Sequence, residues 1–579
     1  MSVADRNSLR ERNTELGNGD ILAERVLVAV AWPYVNGLPH LGHIAGNSLP
    51  ADIFARFNRL IGNDVLMVSG SDMHGTPTML AARQQGISTL ELVQRYHKAF
   101  SETNTEMGFS FDLYTHTDTD NHHAVSQAMF TRLLENGYLV EGVQSMPFCL
   151  EEQRFLSDRF VEGVCPHCSS DGARGDQCDN CGNTVDPSEL ENIRCKEDGS
   201  TPEFRDTTHF FLRLSAFQDR LTEWISDKND WRPNVRNFSM GILKQGLKDR
   251  AITRDIDWGI KIPVEGFDDK RIYVWFEAVI GYLSASIEWA TNSGNPDAWK
   301  AWWEEEDARA IYFQGKDNIP FHTIIWPAML MGHGGLNLAE DVAANEFLTL
   351  EGRPLSTSSG WAVWLPDFLE RYDPDPLRYY LTSIMPETSD SDFTWNGFLL
   401  ANNNELVATF GNLIHRVLTL TTRNFNNAVP KPGDLGPEEN AALKACDKAL
   451  EDVANHLAAR NFREGLRSVM VLAQHGNRYV DGRAPWKQMK EDREAGATTL
   501  WTALNIVETL RTVAYPYLPF STQKLHEMLG HDGDVLSSGW QRQTPVAGTS
   551  LPDPTPIFKK LDESIVEEEA ERLAAASSR

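Results

Sequence analysis

The chain has 579 residues, 41% of them hydrophobic, which predicts several globular domains rather than one core. Its formal charge of −28 argues against a protein that coats nucleic acid indiscriminately, since non-specific binding depends mostly on neutralising phosphates. No apolar run approaches the roughly 18 residues that indicate a membrane span, so no membrane partner is expected. The polar segment 1–25 lacks the apolar core of a secretory signal, and we expect a disordered extension of a cytoplasmic protein.

Four strand-like apolar runs are separated by segments of helical length, which is typical of a parallel α/β sheet. In chain order they read RVLVAVAW, NDVLMVSGSD, RIYVWF and ARAIYFQGKD. Each run ends in a polar cluster, at the edge where open parallel sheets bind their ligands. A long stretch rich in cysteines and turn formers separates the first two runs from the last two. We therefore predict a Rossmann-like sheet that is interrupted by an inserted domain.

The stretch AWPYVNGLPHLGH, from Ala31 to His43, follows the first strand-like run. If a helix begins within HLGH, the spacing places His40 and His43 on nearly one face. Glycines such as Gly42 let a ligand approach the backbone closely, and a helix start offers free N–H groups to an anion. The two imidazoles are therefore candidates for binding phosphate oxygens. Two core histidines, or a chance pair, would give the same pattern.

Four cysteines form two CxxC pairs: Cys165, Cys168, Cys178 and Cys181. Four thiolates suit a tetrahedral Zn²⁺ ion, and a site filled by four protein ligands leaves no position for a catalytic water. We therefore predict a structural zinc. The chain has only seven cysteines, which indicates metal binding in a reducing compartment rather than a disulfide framework.

Two further cysteines flank the predicted zinc site, and each is followed three positions later by an acid. These sequences are Cys149-Leu-Glu-Glu152 and Cys195-Lys-Glu-Asp198. They are consistent with a degenerate second zinc knuckle, but the sequence favours two unrelated buried cysteines.

Beyond residue 396 the pattern changes to long amphipathic helices. One helical face carries apolar residues at the expected spacing, namely Leu406, Phe410, Leu413, Val417 and Leu420. The stretches NHLAARNFREGLRSVMVLA and LWTALNIVETLRTVAYPYL have the same character. We predict an all-α C-terminal domain.

Motifs in this order resemble those of the methionyl-tRNA synthetases, a family of class I aminoacyl-tRNA synthetases. PHLGH resembles the HIGH signature of that class, and WPYVNGLPHLGH, GSDMHGTP, the four-cysteine insert, YVWFEAVIGY, YFQGKDNIPFHTIIWPAML and RAPW extend the match from about Val26 to Val566. The resemblance implies a Rossmann-like catalytic domain, a zinc-binding insertion and an all-α anticodon-binding domain. The implied bounds are 1–25 for the extension, 26–136 and 251–345 for the two catalytic halves, 137–250 for the insertion, 346–396 for a KMSKS-like loop with a stem-contact region, and 397–579 for the helical domain.

The reaction that the resemblance implies has two steps. ATP, together with Mg²⁺, activates L-methionine to methionyl-adenylate, and the methionyl group then passes to the 2′-hydroxyl of the terminal adenosine of tRNA(Met). By resemblance, His40 and His43 stabilise the transition state at the triphosphate. The positions that match ATP-binding residues of the family are Gly42, Gly315, Asp317, Ser356, Thr357 and Ser358.

The methionine pocket follows partly from chemistry and partly from resemblance. Methionine's ammonium needs a carboxylate, and Asp72 stands at the end of the second strand-like run. Without the resemblance, an Asp at this point reads as a turn or helix cap. The remaining pocket residues are implied by the resemblance alone: Ala31, Trp32, Tyr34, Trp275, Tyr282 and His322. Val279 stands where proline is usual in the family.

The stretch EGRPLSTSSGWAVW departs from the KMSKS loop of class I enzymes. Pro354 and Thr357 occupy the places of the two lysines, and Arg353 lies one residue before that proline. One hypothesis is a working synthetase in which Arg353, Mg²⁺ and backbone N–H groups replace the lysines. The other is a degenerate paralogue that binds methionine or tRNA but activates poorly.

The helical domain is expected to read the anticodon. Asn412 and Arg416 lie one helical turn apart, and Trp486 offers a surface on which a base can stack. The resemblance assigns these three residues to the CAU anticodon; without it they read as a capped helix and a half-buried tryptophan. We expect a monomer. Two other classes remain open from sequence, a zinc-dependent nucleic-acid-binding protein and a synthetase for another amino acid.

Overall fold

The computed structural model describes residues 23–577, except 176, 177, 179, 182, 184 and 357–359. The predicted N-terminal extension therefore lies almost wholly outside the described residues. Within the described ranges, no helix combines the length and the apolar character that crossing a bilayer requires.

A five-stranded parallel sheet forms the centre of the molecule. Its strands are β1 Arg25–Val30, β2 Asp64–Ser71, β3 Leu113–His116, β4 Arg309–Gly315 and β5 Asp341–Asn345. They are arranged in the order β5-β4-β1-β2-β3. This is the order of a doubly wound nucleotide-binding fold, and it reverses direction between β1 and β4. The predicted Rossmann-like class is confirmed.

Both faces of β1 are buried because its side chains alternate between two apolar layers. Val26, Val28 and Val30 pack into the layer that contains the helix Leu49–Leu60, while Leu27 and Ala29 pack into the opposite layer. The other helices that flank the sheet strands are Thr76–Gln85, Thr89–Glu106, Asp120–Glu135, Gly281–Asn292 and Trp326–His333.

The prediction of a sheet strand in RIYVWF is wrong. Only Arg271–Ile272 is extended there, paired antiparallel with Thr253–Arg254, and the helix Val274–Ala278 follows directly. A short apolar run has no periodicity that separates a strand from a buried helical turn. The sheet instead uses β3 and β5, which are too short or too polar to stand out in the sequence.

The inserted segment contains a long antiparallel ribbon, Leu139–Cys149 with Glu203–Leu212. The four cysteines belong to the stretch of chain that connects these two strands. The same stretch forms a small sheet of Val161–Val164, Ala173–Arg174 and Glu191–Cys195. The helices Gln218–Ser226 and Pro233–Gln245 return the chain toward the parallel sheet.

After β5 the chain forms a second small sheet and then helices only. The sheet contains Leu348–Leu350, Arg353–Pro354 and Ser391–Phe393, with the helices Leu365–Leu369 and Pro374–Ser383 between them. The predicted helical C-terminal region is confirmed. Its main helices are Trp395–Leu400, Ala401–Gly411 (a π-helix), Asn412–Asn424, Pro437–Ala458, Phe462–Arg483, Pro485–Glu491, Arg493–Ala514, Pro519–Met528 and Ile565–Ser577.

One buried arginine joins the parallel-sheet layer to the helical region. Arg378 donates to Asp52 Oδ2 at 2.6 Å and to the carbonyl oxygens of Met107 and Tyr517 at 3.2 and 2.9 Å. Asp52 lies on the helix Leu49–Leu60, whereas Tyr517 lies in the turn between the helices Arg493–Ala514 and Pro519–Met528. The guanidinium and the carboxylate are both fully buried.

Candidate active site

A helix begins directly after the turn that leaves β1, and it positions the histidine pair. His40 is the N-cap of the helical turn Leu41–His43, which continues through the π-helical turn Ile44–Ser48 into Leu49–Leu60. The two imidazole rings lie side by side, with centroids 3.9 Å apart. The predicted shared face is therefore present.

The hydrogen bonds of the pair fix its protonation. Gly42 N–H donates to His40 Nδ1 and His40 N–H donates to His43 Nδ1, both at 3.1 Å. Since each Nδ1 is an acceptor, each neutral ring carries its proton on Nε2. Burial, and for His40 also the neighbouring imidazole, lowers the pKa of His40 well below its ordinary value and that of His43 to about 4. Both rings are thus uncharged hydrogen-bond donors at neutral pH.

The loop with the altered KMSKS-like sequence lies against this helix start. Leu365 N–H donates to the carbonyl oxygen of Pro39 at 2.9 Å, and His40 forms an antiparallel bridge with Trp364. A Cβ on Gly42 would lie 3.0 Å from Leu355 Cδ1, so a larger residue there would press on this leucine.

Ser356 ends the described part of that loop, where its N–H donates to Trp361 O at 3.0 Å. Arg353 is exposed and stacks on the Trp361 ring at 4.7 Å. Thr357 and Ser358 lie outside the described residues. The cation that could replace a lysine therefore lies against the Trp361 ring.

β4 ends beside β1 at the point where the strand order reverses, and its last residue is Gly315. The short helical turn Lys316–Asn318 follows, in which Asp317 folds back toward Gly315: a Cβ there would lie 2.8 Å from Asp317 Oδ1. Burial raises the pKa of Asp317. Open α/β sheets bind nucleotides at such a crevice.

Asp72 continues β2 and pairs with the segment that carries the histidines. It forms a parallel bridge with Tyr34, and its carbonyl oxygen accepts from Val35 N–H at 3.2 Å. It does not cap the next helix, whose N-cap is Gly75. Burial, and secondly the nearby Glu277 carboxylate, raises the pKa of Asp72 well above its usual range. A cationic ligand would stabilise its ionised form.

Aromatic side chains connect Asp72 with the remaining predicted pocket residues. Trp275 Nε1 donates to the Tyr34 hydroxyl, and the Trp275 ring contacts Phe321 at a centroid distance of 4.5 Å. Next to Phe321, His322 Nδ1 donates to Asn318 O at 2.9 Å, so His322 Nε2 accepts from the Tyr282 hydroxyl at 2.7 Å. Burial lowers the pKa of His322 to about 4. The sequence did not single out Phe321.

Trp32 lies between two glycines at the back of this pocket. A Cβ on Gly70 or Gly281 would come within 2.5 or 2.7 Å of the indole. Its buried Nε1 has no hydrogen-bond partner among the described residues. Ala31 N–H extends the sheet by donating to Phe313 O at 2.9 Å. All seven predicted methionine-binding residues thus belong to one contiguous group.

A buried ionic network behind Asp72 was not predicted. Glu277 accepts from His74 Nδ1 at 2.7 Å and from His122 Nε2 at 2.6 Å, and both histidines are buried. Although burial opposes it, Glu277 and Asp118 raise the pKa of His74 to about 10. The one available signal was an acid, Glu277, inside the apolar run YVWFEAVIGY.

The four predicted zinc ligands converge. Cys165 Sγ is 3.9 Å from Cys181 Sγ, and Cys168 Sγ is 3.7 Å from Cys178 Sγ. Thiolates that are each 2.3 Å from a tetrahedral Zn²⁺ would be about 3.8 Å apart. The donor set and its spacing therefore fit a zinc ion.

The flanking Cys195 belongs to a turn of the same construction. Cys165 N–H donates to the carbonyl oxygen of Ser170, five residues later. Cys195 N–H donates in the same way to the carbonyl oxygen of Ser200, at 2.8 Å. Cys149 Sγ lies 3.1 Å from Asp198 Oδ2. The ligand atoms of Cys149, Cys195 and Asp198 thus lie within 4.8 Å of one another, and both cysteines are also buried in the hydrophobic cluster around the four-cysteine site.

The predicted anticodon residues lie on two helices of the helical region, Asn412 and Arg416 on Asn412–Asn424 and Trp486 on Pro485–Glu491. Asn412 is exposed, and Arg416 on the same helix donates to Asp481 Oδ1 at 2.7 Å. Asp481 lies five residues before Trp486, whose side chain is 39% exposed although it is a large aromatic.

Comparisons with known proteins agree with this arrangement. Residues 26–418 match the family model "tRNA synthetases class I (M)", and residues 429–578 match "Anticodon binding domain of methionyl tRNA ligase". The methionine–tRNA ligase of Dehalococcoides mccartyi is 52% identical over 552 residues, 95% of this chain and 100% of the relative. That of Thermomicrobium roseum is 49% identical over 583 residues, 96% of this chain and 100% of the relative.

Solved structures are also similar. Mycobacterium tuberculosis methionyl-tRNA synthetase in complex with methionyl-adenylate superimposes with a TM-score of 0.76 at 27% identity, covering 93% of this chain and 99% of that one. Its apo form gives a TM-score of 0.70 at 26% identity, with 93% and 98% coverage.

Proposed function

Because the chain belongs to the methionyl-tRNA synthetase family of class I, we propose how its residues carry out the family's reaction. The protein is a methionine–tRNA ligase, which activates methionine with ATP and transfers it to tRNA. A degenerate paralogue finds no support, since the chain is about half identical to curated ligases over nearly its whole length. Adenylate formation joins a carboxylate oxygen of methionine to the α-phosphorus of ATP and releases pyrophosphate.

His40 and His43 donate hydrogen bonds to phosphoryl oxygens as charge develops on them in this step. The observation that carries the proposal is the pair of Nδ1 acceptor bonds, which leaves both Nε2–H groups available as donors at one helix start. Fixed neutral donors stabilise an anionic transition state without reorganising, because the backbone holds both rings. No protein nucleophile is required.

The remaining nucleotide contacts come from the same crevice. We propose that ATP phosphates approach the backbone closely at Gly42 and Gly315, and that Asp317 binds the ribose. The loop residues Ser356, Thr357 and Ser358 contact the triphosphate. Mg²⁺ would accompany ATP. Arg353 supplies the positive charge that the missing lysines cannot, once it leaves the Trp361 ring.

Methionine binds in the aromatic group. Asp72 accepts hydrogen bonds from the ammonium group of methionine. The positive charge of that group pairs with the buried carboxylate. The thioether lies among Tyr34, Trp275, Tyr282 and His322, where sulfur–aromatic contacts contribute about 0.3–1.5 kcal/mol each. Trp32 and Ala31 close the pocket on the sheet side.

The tRNA is recognised at a distance from this chemistry. Asn412 and Arg416 read base edges, and Trp486 stacks on an anticodon base. The four cysteines hold one structural zinc, and the domain bounds are those given for the resemblance. A monomeric state and a cytoplasmic location stay predictions.

Methionine-dependent ATP–pyrophosphate exchange tests the histidine assignment. His40→Asn and His43→Asn should each lower the exchange rate constant by about 100- to 1000-fold while leaving the Kd of methionine unchanged. His333→Asn is the matched control, because among the described residues that side chain forms a hydrogen bond only with the neighbouring Gly334 carbonyl. Full exchange activity in both variants would refute the assignment, and an equal loss of methionine binding would mean a structural role.

A further inference from the structure

A second cluster of metal-ligating side chains lies beside, but outside, the methionine pocket. His74, Asp118 and His123 bring one ligand atom each within 4.8 Å of the others. Asp118 Oδ1 is 3.5 Å from His74 Nε2 and 3.4 Å from His123 Nε2. We propose that these three side chains form a site for a divalent transition-metal ion of the zinc class, separate from the four-cysteine site.

The distances fit coordination. Nitrogen and oxygen ligands on a tetrahedral Zn²⁺ lie 2.0–2.2 Å from the ion and hence about 3.3–3.6 Å from each other. Both measured separations fall within that range. His123 Nε2 is inaccessible to solvent, yet it has no hydrogen-bond partner among the described residues. An ion between the three atoms would satisfy this nitrogen.

The surroundings orient the ligands as known metal sites do. His74 Nδ1 bonds Glu277 Oε1 at 2.7 Å, which turns its Nε2 toward Asp118. A carboxylate behind a metal-bound histidine is the usual outer partner, since it holds the ring and increases its basicity. Asp118 and Glu277 together favour a positive charge at this point. A proton on His74 provides that charge when no metal is bound.

The fourth coordination position would be open. A cavity of about 330 Å³ adjoins the cluster and is lined by Asp118 and His123 together with Trp258, Lys261 and Arg271. Zinc sites with three protein ligands leave room for water or a small molecule. The two cationic side chains would favour a hydroxide or a small anion as the fourth ligand.

Cobalt titration of the intact protein, with zinc already in the four-cysteine site, tests the proposal. One additional Co²⁺ per chain should bind and give visible d–d bands without the thiolate charge-transfer bands of a cysteine site. Asp118→Asn and His123→Gln should each weaken this binding at least about tenfold. Asp257→Asn is the matched control, because Asp257 lines the same cavity but is not in the ligand set.

A variant that is expected to keep the metal but change its spectrum gives a second test, which does not depend on a loss of binding. His123→Cys should retain the additional Co²⁺ and add a thiolate-to-cobalt charge-transfer band. Circular dichroism and the zinc content of the four-cysteine site report whether each variant is folded. The proposal is overturned if the wild type gives no additional d–d bands, or if Asp118→Asn and His123→Gln bind Co²⁺ as tightly as wild type does.

Discussion

Replacing Arg378 with methionine should lower the free energy of unfolding by about 3–5 kcal/mol, the range for breaking a buried ion pair. The Arg378 guanidinium is fully buried on the helix Pro374–Ser383 and donates to Asp52 at 2.6 Å. Methionine fills a similar volume but donates no hydrogen bond. The helix Leu49–Leu60 would thereby lose one of its links to the C-terminal region, while the hydrogen bond from Arg56 to the Tyr515 hydroxyl at 2.9 Å would remain.

The individual contacts set the magnitude. Asp52 would keep Arg56 Nε at 2.9 Å and the Ser110 N–H at 2.8 Å, so its charge would not be wholly unpaired. The carbonyl oxygens of Met107 and Tyr517 would lose their donors, however, and an unsatisfied buried acceptor costs about 1–3 kcal/mol. These losses are not additive, since all involve one side chain.

Urea unfolding, followed by tryptophan fluorescence and circular dichroism with each transition fitted separately, measures the change. Lys448→Met is the control, because Lys448 forms an exposed ion pair with Asp452 at 2.8 Å that should contribute no more than about 0.5 kcal/mol. A change for Arg378→Met of less than about 1 kcal/mol, the average for any substitution, would refute the reasoning.

Four further outcomes are expected. Trp486→Ala should raise the KM for tRNA by about 5- to 150-fold, the value of one lost base stack, and leave pyrophosphate exchange unchanged; equal losses in both assays would contradict it. Tyr282→Phe removes the donor to His322 Nε2 and should raise the KM for methionine about 5-fold or more, so an unchanged KM speaks against the pocket. Cys168→Ser should abolish the bound zinc, measured by elemental analysis, whereas a full equivalent of zinc would refute the site. The pKa of Asp52 is lowered because the charges of Arg56 and Arg378 outweigh the effect of burial. Its contribution to stability is therefore present above its unfolded pKa of about 4 and is lost as the pH falls further. Asp52→Asn should reduce the decrease in unfolding free energy at acidic pH, measured by unfolding experiments.

Local sequence patterns predicted the parts of the site that lie within a few residues of each other. The spacing of His40 and His43 depends on one helical turn, and each CxxC pair depends on one tight turn, so both were readable. Strands β1, β2 and β4 were also evident from their apolar runs. The run RIYVWF misled, because only Arg271–Ile272 is extended there and the short helix Val274–Ala278 follows.

Long-range partners were not readable. His74 and Glu277 are 203 positions apart, and Arg378 and Asp52 are 326 apart. Nothing in the local pattern distinguishes Arg378 from the other 53 basic residues until the packing of three elements encloses it. The cluster of His74, Asp118 and His123 was missed for the same reason, since His74 follows β2, whereas Asp118 and His123 follow β3 at least 44 positions later.

The division of the parallel sheet also affects how the chain is made. β1 pairs with β4, beginning with Val26 opposite Arg309, so one edge of a strand that is apolar from Val26 to Val30 has no neighbour until 283 further residues have been synthesised. At about 5–20 residues per second a ribosome needs roughly 15–60 s for that length. During this interval the nascent β1–β2 unit exposes an unpaired apolar edge, which is the kind of surface that chaperones bind and that leads to aggregation.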